Sequence, residues 1–181
     1  MLLDLNMMED SIYKMIESED HELNHIWITQ IFQWRWWLGV VLLILPWVVW
    51  AFIRDKKDTV RQLFVALVVM LITSTMDNIG VYYSCWYYLH KVFPAGYIGF
   101  AWDYALFPIG VILTLQFNPK LNIYIKAVIF GLICAFIGEP FFVWIGMYHL
   151  VHWKYWYSFI IYVPLYLLFF CIYKSRLFDK H

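Results

Sequence analysis

Apolar residues run through this chain in blocks too long for the strands or half-buried helices of a water-soluble domain. Crossing ~30 Å of hydrocarbon at 1.5 Å per residue takes about 17–25 largely apolar residues. Five segments meet that length: 36–53 (WWLGVVLLILPWVVWAFI), 62–82, 98–117, 127–148 and 155–173. They are too long and too uniformly apolar for the alternating strands of a membrane β-barrel. Ahead of them, residues 1–35 are mostly polar, and Ile12, Met15, Ile16, Leu23, Ile26 and Trp27 are spaced for an amphipathic helix. FQWRWW (32–37) fits a helix riding the membrane interface into the first span, because tryptophan couples an apolar ring to an N–H that wants water. The pattern predicts an all-α integral membrane bundle of five transmembrane helices over 36–181, preceded by an extramembrane or interfacial segment over 1–35.

Composition narrows this further. The chain is 64% hydrophobic, 22% aromatic and 14% charged, against about 45–50% apolar and 25% charged in soluble domains. That excludes an ordinary soluble globule, and it excludes disorder, which needs low hydrophobicity and high net charge. Thirteen basic and 13 acidic residues cancel, leaving no basic face for nucleic acid. Cys85, Cys134 and Cys171 have no C-x-x-C spacing, so neither a disulfide framework nor a zinc knuckle is indicated.

Lysine and arginine set the expected orientation. Arg54, Lys56, Lys57, Arg61, Lys120, Lys126, Lys174, Arg176 and Lys180 collect on one side; Lys14, Arg35, Lys91 and Lys154 collect on the other. The richer side, with the RDKKDTVR loop and the C-terminus, is expected in the cytoplasm and the N-terminus outside. MLLDLNMMEDSIYKMIE has no basic n-region or long apolar h-region, so no cleavable signal peptide is expected. There is no internal repeat and no linker for a second domain. The aromatics of the two outer hairpins, CWYYLHKVF and VHWKYWYS, read mainly as an interfacial belt.

Three carboxylates interrupt the apolar runs. Counting at 1.5 Å per residue, Asp77 lies roughly 22 Å above the inner end of its span, Glu139 roughly 18–20 Å, and Asp103 roughly 8 Å below the outer end. All fall in the outer half of the bilayer. Each ionised carboxylate there costs ~2.5–3.5 kcal/mol on the insertion scale, so three would cost ~7–10. They must be protonated, hydrated or paired. Interhelical polar staples average only ~0.6 kcal/mol, so stapling alone compensates poorly, and a shared cavity opening outward is the better reading. Asn78, Tyr157 and Ser158 are placed at the same level.

Pro46, Pro108, Pro140 and Pro164 fall in four of the five spans, and each removes a backbone donor. Pro140 follows Glu139, so that helix is expected to bend or widen at its carboxylate. Tyr155, Ser158, Tyr162, Tyr166, Phe169 and Tyr173 make one stripe on the last span, read chiefly as packing and secondarily as cavity lining. Gly131, Ala135 and Gly138 give the fourth span a small-residue face. Thr114 and Gln116 read as polar residues at a helix end. HELNH (His21–His25) matches the H-E-x-x-H zinc pattern, but it sits in a polar tail with no third ligand near in sequence. His149-x-x-His152 reads as an interfacial pair. No metal site and no cofactor is indicated.

ILPWVVW followed by RDKK, then STMDNIG, a W-D-x4-P pattern at Trp102, Asp103 and Pro108, IGEPFFVWIGMY, and W-x3-YSF form an ordered set over residues 34–173. In this set the chain resembles a family of small uncharacterised five-helix integral membrane proteins of spore-forming Firmicutes, named after a clostridial locus. Asp77, Trp102, Asp103, Pro108, Glu139, Pro140, Trp144, Tyr157 and Ser158 fall on the family's motifs. Phe159-Ile160 stands where the family pattern has Phe-Pro, so the last span should start less kinked. The resemblance implies a bacterial plasma-membrane protein of five helices and carries no activity.

The expected site therefore comprises Asp77, Asn78, Trp102, Asp103, Glu139, Trp144, Tyr157 and Ser158. Its expected partners are the lipid bilayer and a small cation, proton or lipid head group. A membrane enzyme acting on lipid or cell-wall precursors, with unassigned catalytic residues, and a helper subunit of another membrane protein are the alternatives.

Overall fold

The computed structural model describes residues 2–94 and 96–175, without the side chains of residues 2–7, 9, 19 and 20. Arg176 and Lys180, counted above for orientation, and the acidic side chains of Asp4, Glu9, Glu19 and Asp20 lie outside the described residues. The regular structure is helical apart from two three-residue strands. In chain order it comprises α1 (Leu2–Gln30), α2 (Trp34–Ile53), α3 (Thr59–Tyr82), β1 (Trp86–Tyr88), α4 (Phe107–Gln116), α5 (Ile123–Ile133), α6 (Glu139–Trp144), β2 (Tyr148–Leu150) and α7 (Tyr155–Tyr173). A 3-10 turn (Lys56–Asp58) leads into α3, and π-helical turns run over Trp102–Leu106 before α4 and Cys134–Gly138 between α5 and α6.

Four helical runs are long and apolar enough to cross a membrane: Trp34–Ile53, Lys56–Tyr82, Ile123–Trp144 and Tyr155–Tyr173. Their outer faces carry exposed Phe52, Val60, Leu71, Ile137 and Ile160, an apolar surface that a water-soluble monomer does not display. The segment expected as a span over 98–117 is helical only over 100–116, shorter than the others. It is the centre of the bundle. Phe107, Pro108, Ile109, Val111, Ile112 and Leu115 of α4 are buried, and α4 touches α2, α3, α5 and α7. The segment expected over 127–148 starts earlier, at Ile123, and ends at Trp144, because Gly146 (φ 72°) turns the chain into β2.

Both π turns stop one residue short of a proline's neighbour, at Phe107-Pro108 and Glu139-Pro140. The N–H groups of Phe107 and Glu139 reach back five residues, to the carbonyls of Trp102 and Cys134. The widening expected at Glu139 is present, and a second one appears at Asp103. Pro108 cannot donate to the Tyr104 carbonyl; the Trp47 indole donates to it instead (2.7 Å).

At the end of the bundle where α3 begins, every polar group named here is used. Gln62, fully buried, accepts from Trp50 Nε1 (2.6 Å) and donates to Gln116 Oε1 (2.7 Å). Gln116 also accepts from the Asp55 N–H and donates to the Ile53 carbonyl. Lys126 Nζ donates to the carbonyls of Thr114 (2.9 Å) and Phe117 (2.6 Å), closing the C-terminus of α4. Thr114 and Gln116 thus serve contacts between helices, not merely helix-end polarity, because Tyr166, Lys126 and Gln62 of neighbouring helices reach the last turn of α4.

α1 forms one long helix. Of its expected apolar stripe, Ile12, Met15, Ile16 and Ile26 are exposed and Leu23 and Trp27 half-buried. It touches the rest through Trp27, whose indole donates to the carbonyls of Lys91 and Val92 (both 3.2 Å). Trp36 donates to Val92 O as well (3.1 Å).

Packing on Phe107 predicts a sharp contrast in thermal unfolding of the detergent-solubilised chain. Phe107→Ala, at a side chain 1% exposed and stacked on Phe130 and Tyr162, should cost about 3–5 kcal/mol. Trp144→Ala, at 81% exposure, should stay within about 0.5 kcal/mol.

Candidate functional site

The buried residues of α3 are Gln62, Val65, Ala66, Val69, Thr73, Asp77 and Gly80, spaced three and four apart on one stripe. Asp77 is buried because it belongs to that stripe. Gly80 ends it, and a Cβ there would lie 2.1 Å from the Trp86 ring; its absence lets β1 fold back over the end of α3. β1 pairs antiparallel with β2, in register Trp86↔Leu150, Tyr87↔His149 and Tyr88↔Tyr148. Alternation along a strand turns Trp86, Tyr88 and Tyr148 inward and leaves Tyr87 and His149 outside, ring on ring at 4.8 Å.

Beneath this two-stranded roof lies a cavity of about 80 Å³ lined by Asp77, Asp103 and Glu139. These carboxylates come from α3, the first π turn and the start of α6, and are 7%, 1% and 4% exposed. Asp77 Oδ2 accepts from the Tyr88 hydroxyl (2.6 Å) and the Gly99 N–H (2.9 Å). The same Gly99 N–H reaches Asp103 Oδ2 at 3.2 Å. Gly99 has no substitute at this point: a Cβ would stand 2.7 Å from the Tyr88 ring. Glu139 Oε1 accepts from the Tyr162 hydroxyl (2.6 Å). Asp103 Oδ1 and Glu139 Oε2 are buried and make no hydrogen bond of ordinary geometry; Thr73 lies beside Asp103, Ser158 beside Glu139, and the Trp86 indole beside Asp77.

Burial first, then the charge of Asp77, raises the Tyr88 phenol above its ordinary value, so it serves Asp77 as a donor. Burial pulls both His90 and Lys91, at the rim, below their ordinary values, and the Arg35 charge lowers His90 further; for Lys91 the cause is burial. Lys91 Nζ donates to the Gly96 carbonyl (2.8 Å).

Of the residues expected in the site, Asp77, Trp102, Asp103, Glu139 and Ser158 line the cavity. The other three do not. Asn78 follows Asp77 by 100° around α3, so it is exposed and donates to the Ser74 carbonyl of its own helix (2.7 Å). Trp144 points outward from α6. Tyr157 stacks among Trp153 and Trp156 at the start of α7, while its neighbour Ser158 turns inward and accepts from Trp153 Nε1 (2.8 Å).

Tyr88, Gly99, Trp86 and Tyr148 were not foreseen. Their one signal is the period-two pattern of WYY and YHL, over strands too short to stand out. Tyr162 was legible as a member of the stripe on the last span. His21, Glu22 and His25 are exposed on α1, and among the described residues no three His, Cys, Asp or Glu side chains come together as a metal site would require. Comparisons of the chain with protein-family models, with curated proteins and with solved structures give no match.

The roof geometry carries its own test. Tyr88→Phe removes one of two donors to a buried carboxylate and should cost about 1–3 kcal/mol in thermal unfolding. Gly99→Ala should cost at least as much, by pushing the Tyr88 ring off Asp77.

Proposed function

We propose that this chain is a five-span bacterial plasma-membrane protein that binds a small cation in a carboxylate cavity in the outer half of the bilayer. The observation that carries the reading is the pair of buried, unpartnered carboxylate oxygens, Asp103 Oδ1 and Glu139 Oε2, lining one cavity with Asp77. Asp77 and Asp103 draw between them on the Gly99 N–H and the Tyr88 hydroxyl, too little to offset two negative charges in low-dielectric surroundings. A bound cation, or protons in its absence, meets that deficit. Trp86, Tyr88, Trp102 and Tyr148 in the walls add ring faces that attract cations. Below the cavity, Val69, Phe107, Ile112, Phe130 and Tyr166 belong to one buried apolar cluster. That layer fits a binding site reached from the roof side, or the outward-facing state of a carrier.

The fifth span in this reading is the central helix over 100–116, about 25 Å long and shielded from lipid by its neighbours. α1 lies along the outer surface, tethered through Trp27. The N-terminus is outside and the C-terminus cytoplasmic, as the lysine and arginine distribution supports. Resemblance to the Firmicutes family is part of the same proposal, and that resemblance brings no activity with it.

Two measurements test these points. In intact cells, and in a chain whose Cys85, Cys134 and Cys171 are replaced by alanine, a cysteine introduced by His152→Cys should react with a membrane-impermeant maleimide, and one introduced by Lys57→Cys only after lysis; the reverse pattern overturns the topology. Methylammonium, titrated into the purified chain, should change the fluorescence of the cavity tryptophans. Asp103→Asn and Glu139→Gln should weaken that binding about tenfold or more, the loss of one charge-assisted bond, with thermal unfolding still cooperative. Unchanged affinity in both variants, or absence of any binding, removes the cation reading.

A further inference from the structure

Hydrogen-bond donors are spread unevenly over the three carboxyls. Asp77 has the Tyr88 hydroxyl (2.6 Å), the Gly99 N–H (2.9 Å) and the Trp86 indole beside it. Glu139 has the Tyr162 hydroxyl (2.6 Å), and Ser158 stands beside it. Asp103, 1% exposed, has the poorest supply. It reaches the Gly99 N–H at 3.2 Å, the longer arm of a donor that Asp77 already holds. The neighbouring Thr73 hydroxyl donates to the Val69 carbonyl of its own helix (3.0 Å), and Asp103 Oδ1 makes no hydrogen bond of ordinary geometry. The carboxyls of Asp77 and Asp103 also stand within hydrogen-bond reach of each other. Ionised carboxylates only accept, so two of them bond only when one carries a proton. Like charges that close do not both ionise in low-dielectric surroundings. The donors converging on Asp77 make it the carboxylate and leave the proton with Asp103.

A cation held by these acids needs them ionised, and its own charge favours that form. Resting on the cation-binding reading, we propose that the cavity is a cation–proton exchange site, in which the Asp77–Asp103 pair holds one proton when empty and releases it when a monovalent cation binds. The Asp103 O–H bond breaks, the proton leaves to water on the roof side, and the cation takes its place among Asp103, Asp77 and Glu139. The pair carries one negative charge before the exchange; with its cation it carries one afterwards. The other titratable groups facing the pair are Glu139 of α6, Tyr162 of α7, Tyr88 and Tyr148 of the roof, and His90 and Lys91 at the rim; α2 lines the cavity with Gly39 alone. Burial foremost raises the phenols of Tyr88 and Tyr148 and lowers His90, so at neutral pH the phenols keep their protons and His90 has none to give.

Calorimetric titration of the full chain in detergent with methylammonium, at neutral pH in buffers of unlike ionisation enthalpy, counts the protons released. About one proton per cation should appear, and affinity should rise with pH by up to about tenfold per unit. Asp103→Asn gives Asp77 an amide N–H in place of the shared proton, so its weaker binding should release almost none and lose its slope with pH. His90→Gln and Lys91→Gln should keep the count. Binding to the natural chain without proton release overturns the exchange and leaves the cation reading standing. A count that survives Asp103→Asn, or that vanishes in His90→Gln or Lys91→Gln, does the same. No binding of methylammonium removes both. Where Asp103→Asn fails to fold, infrared difference spectra of the natural chain decide: methylammonium should remove a carboxylic acid C=O band, and an unchanged band overturns the proposal.

Discussion

The N–H of Gly99 is divided between Asp77 and Asp103, and much of the surrounding architecture follows from what that division requires. Two carboxyls on one donor need a low-clearance approach, which only a residue without a side chain permits under the Tyr88 ring. They also need a second donor for Asp77, which Tyr88 supplies from above. That places a strand over the end of α3, and a lone three-residue strand has no stability of its own; β2 pairs with it. The roof is held in turn by indoles of α1 and α2 on the carbonyls of Lys91 and Val92. Removing the carboxyl pair would leave little reason for any of these parts to stand where they do.

How much of this was readable from the residues depended on periodicity. The long helices announced themselves, because length and apolarity are a strong signal over 18 or more residues. Asp77 was set at the level of Asp103 and Glu139, with which it shares the cavity, but its neighbour Asn78 was drawn in with it, since a depth count says nothing about which way a helix faces; the buried stripe through Thr73 and Gly80 does. Trp144 and Tyr157 failed for the same reason. The central helix was read as an ordinary span, whereas its burial on all sides lets it be short. The hairpin went unread: its rings had an adequate explanation as an interfacial belt, and three residues cannot establish a period of two. Gln116 and Thr114 looked like surface polarity because nothing in the sequence says which neighbouring helices reach the last turn of α4.

The two ends of the bundle differ in how completely their polar groups are matched. Around Gln62, each amide and indole group finds a counterpart, as buried polar networks do when their role is to fix helices against one another. Around Glu139, two carboxylate oxygens remain open within one enclosure. Both ends are buried and polar, so composition alone would class them together. Hydrogen-bond accounting separates a joint from a receptacle.

The π turns at Trp102–Leu106 and Cys134–Gly138 are each an α-helix with one residue spliced in. The splice rotates whatever lies on one side of it by about 100° relative to the other. Asp103 and Glu139 sit on these joints, so their bearing is set independently of the apolar seam that continues along α4 and α5. A lineage could therefore gain, lose or re-aim these acids by single-codon insertions and deletions, with the greasy half of the bundle left undisturbed. Among related chains, length variation by one residue at these two points would mark changes of ligand rather than drift.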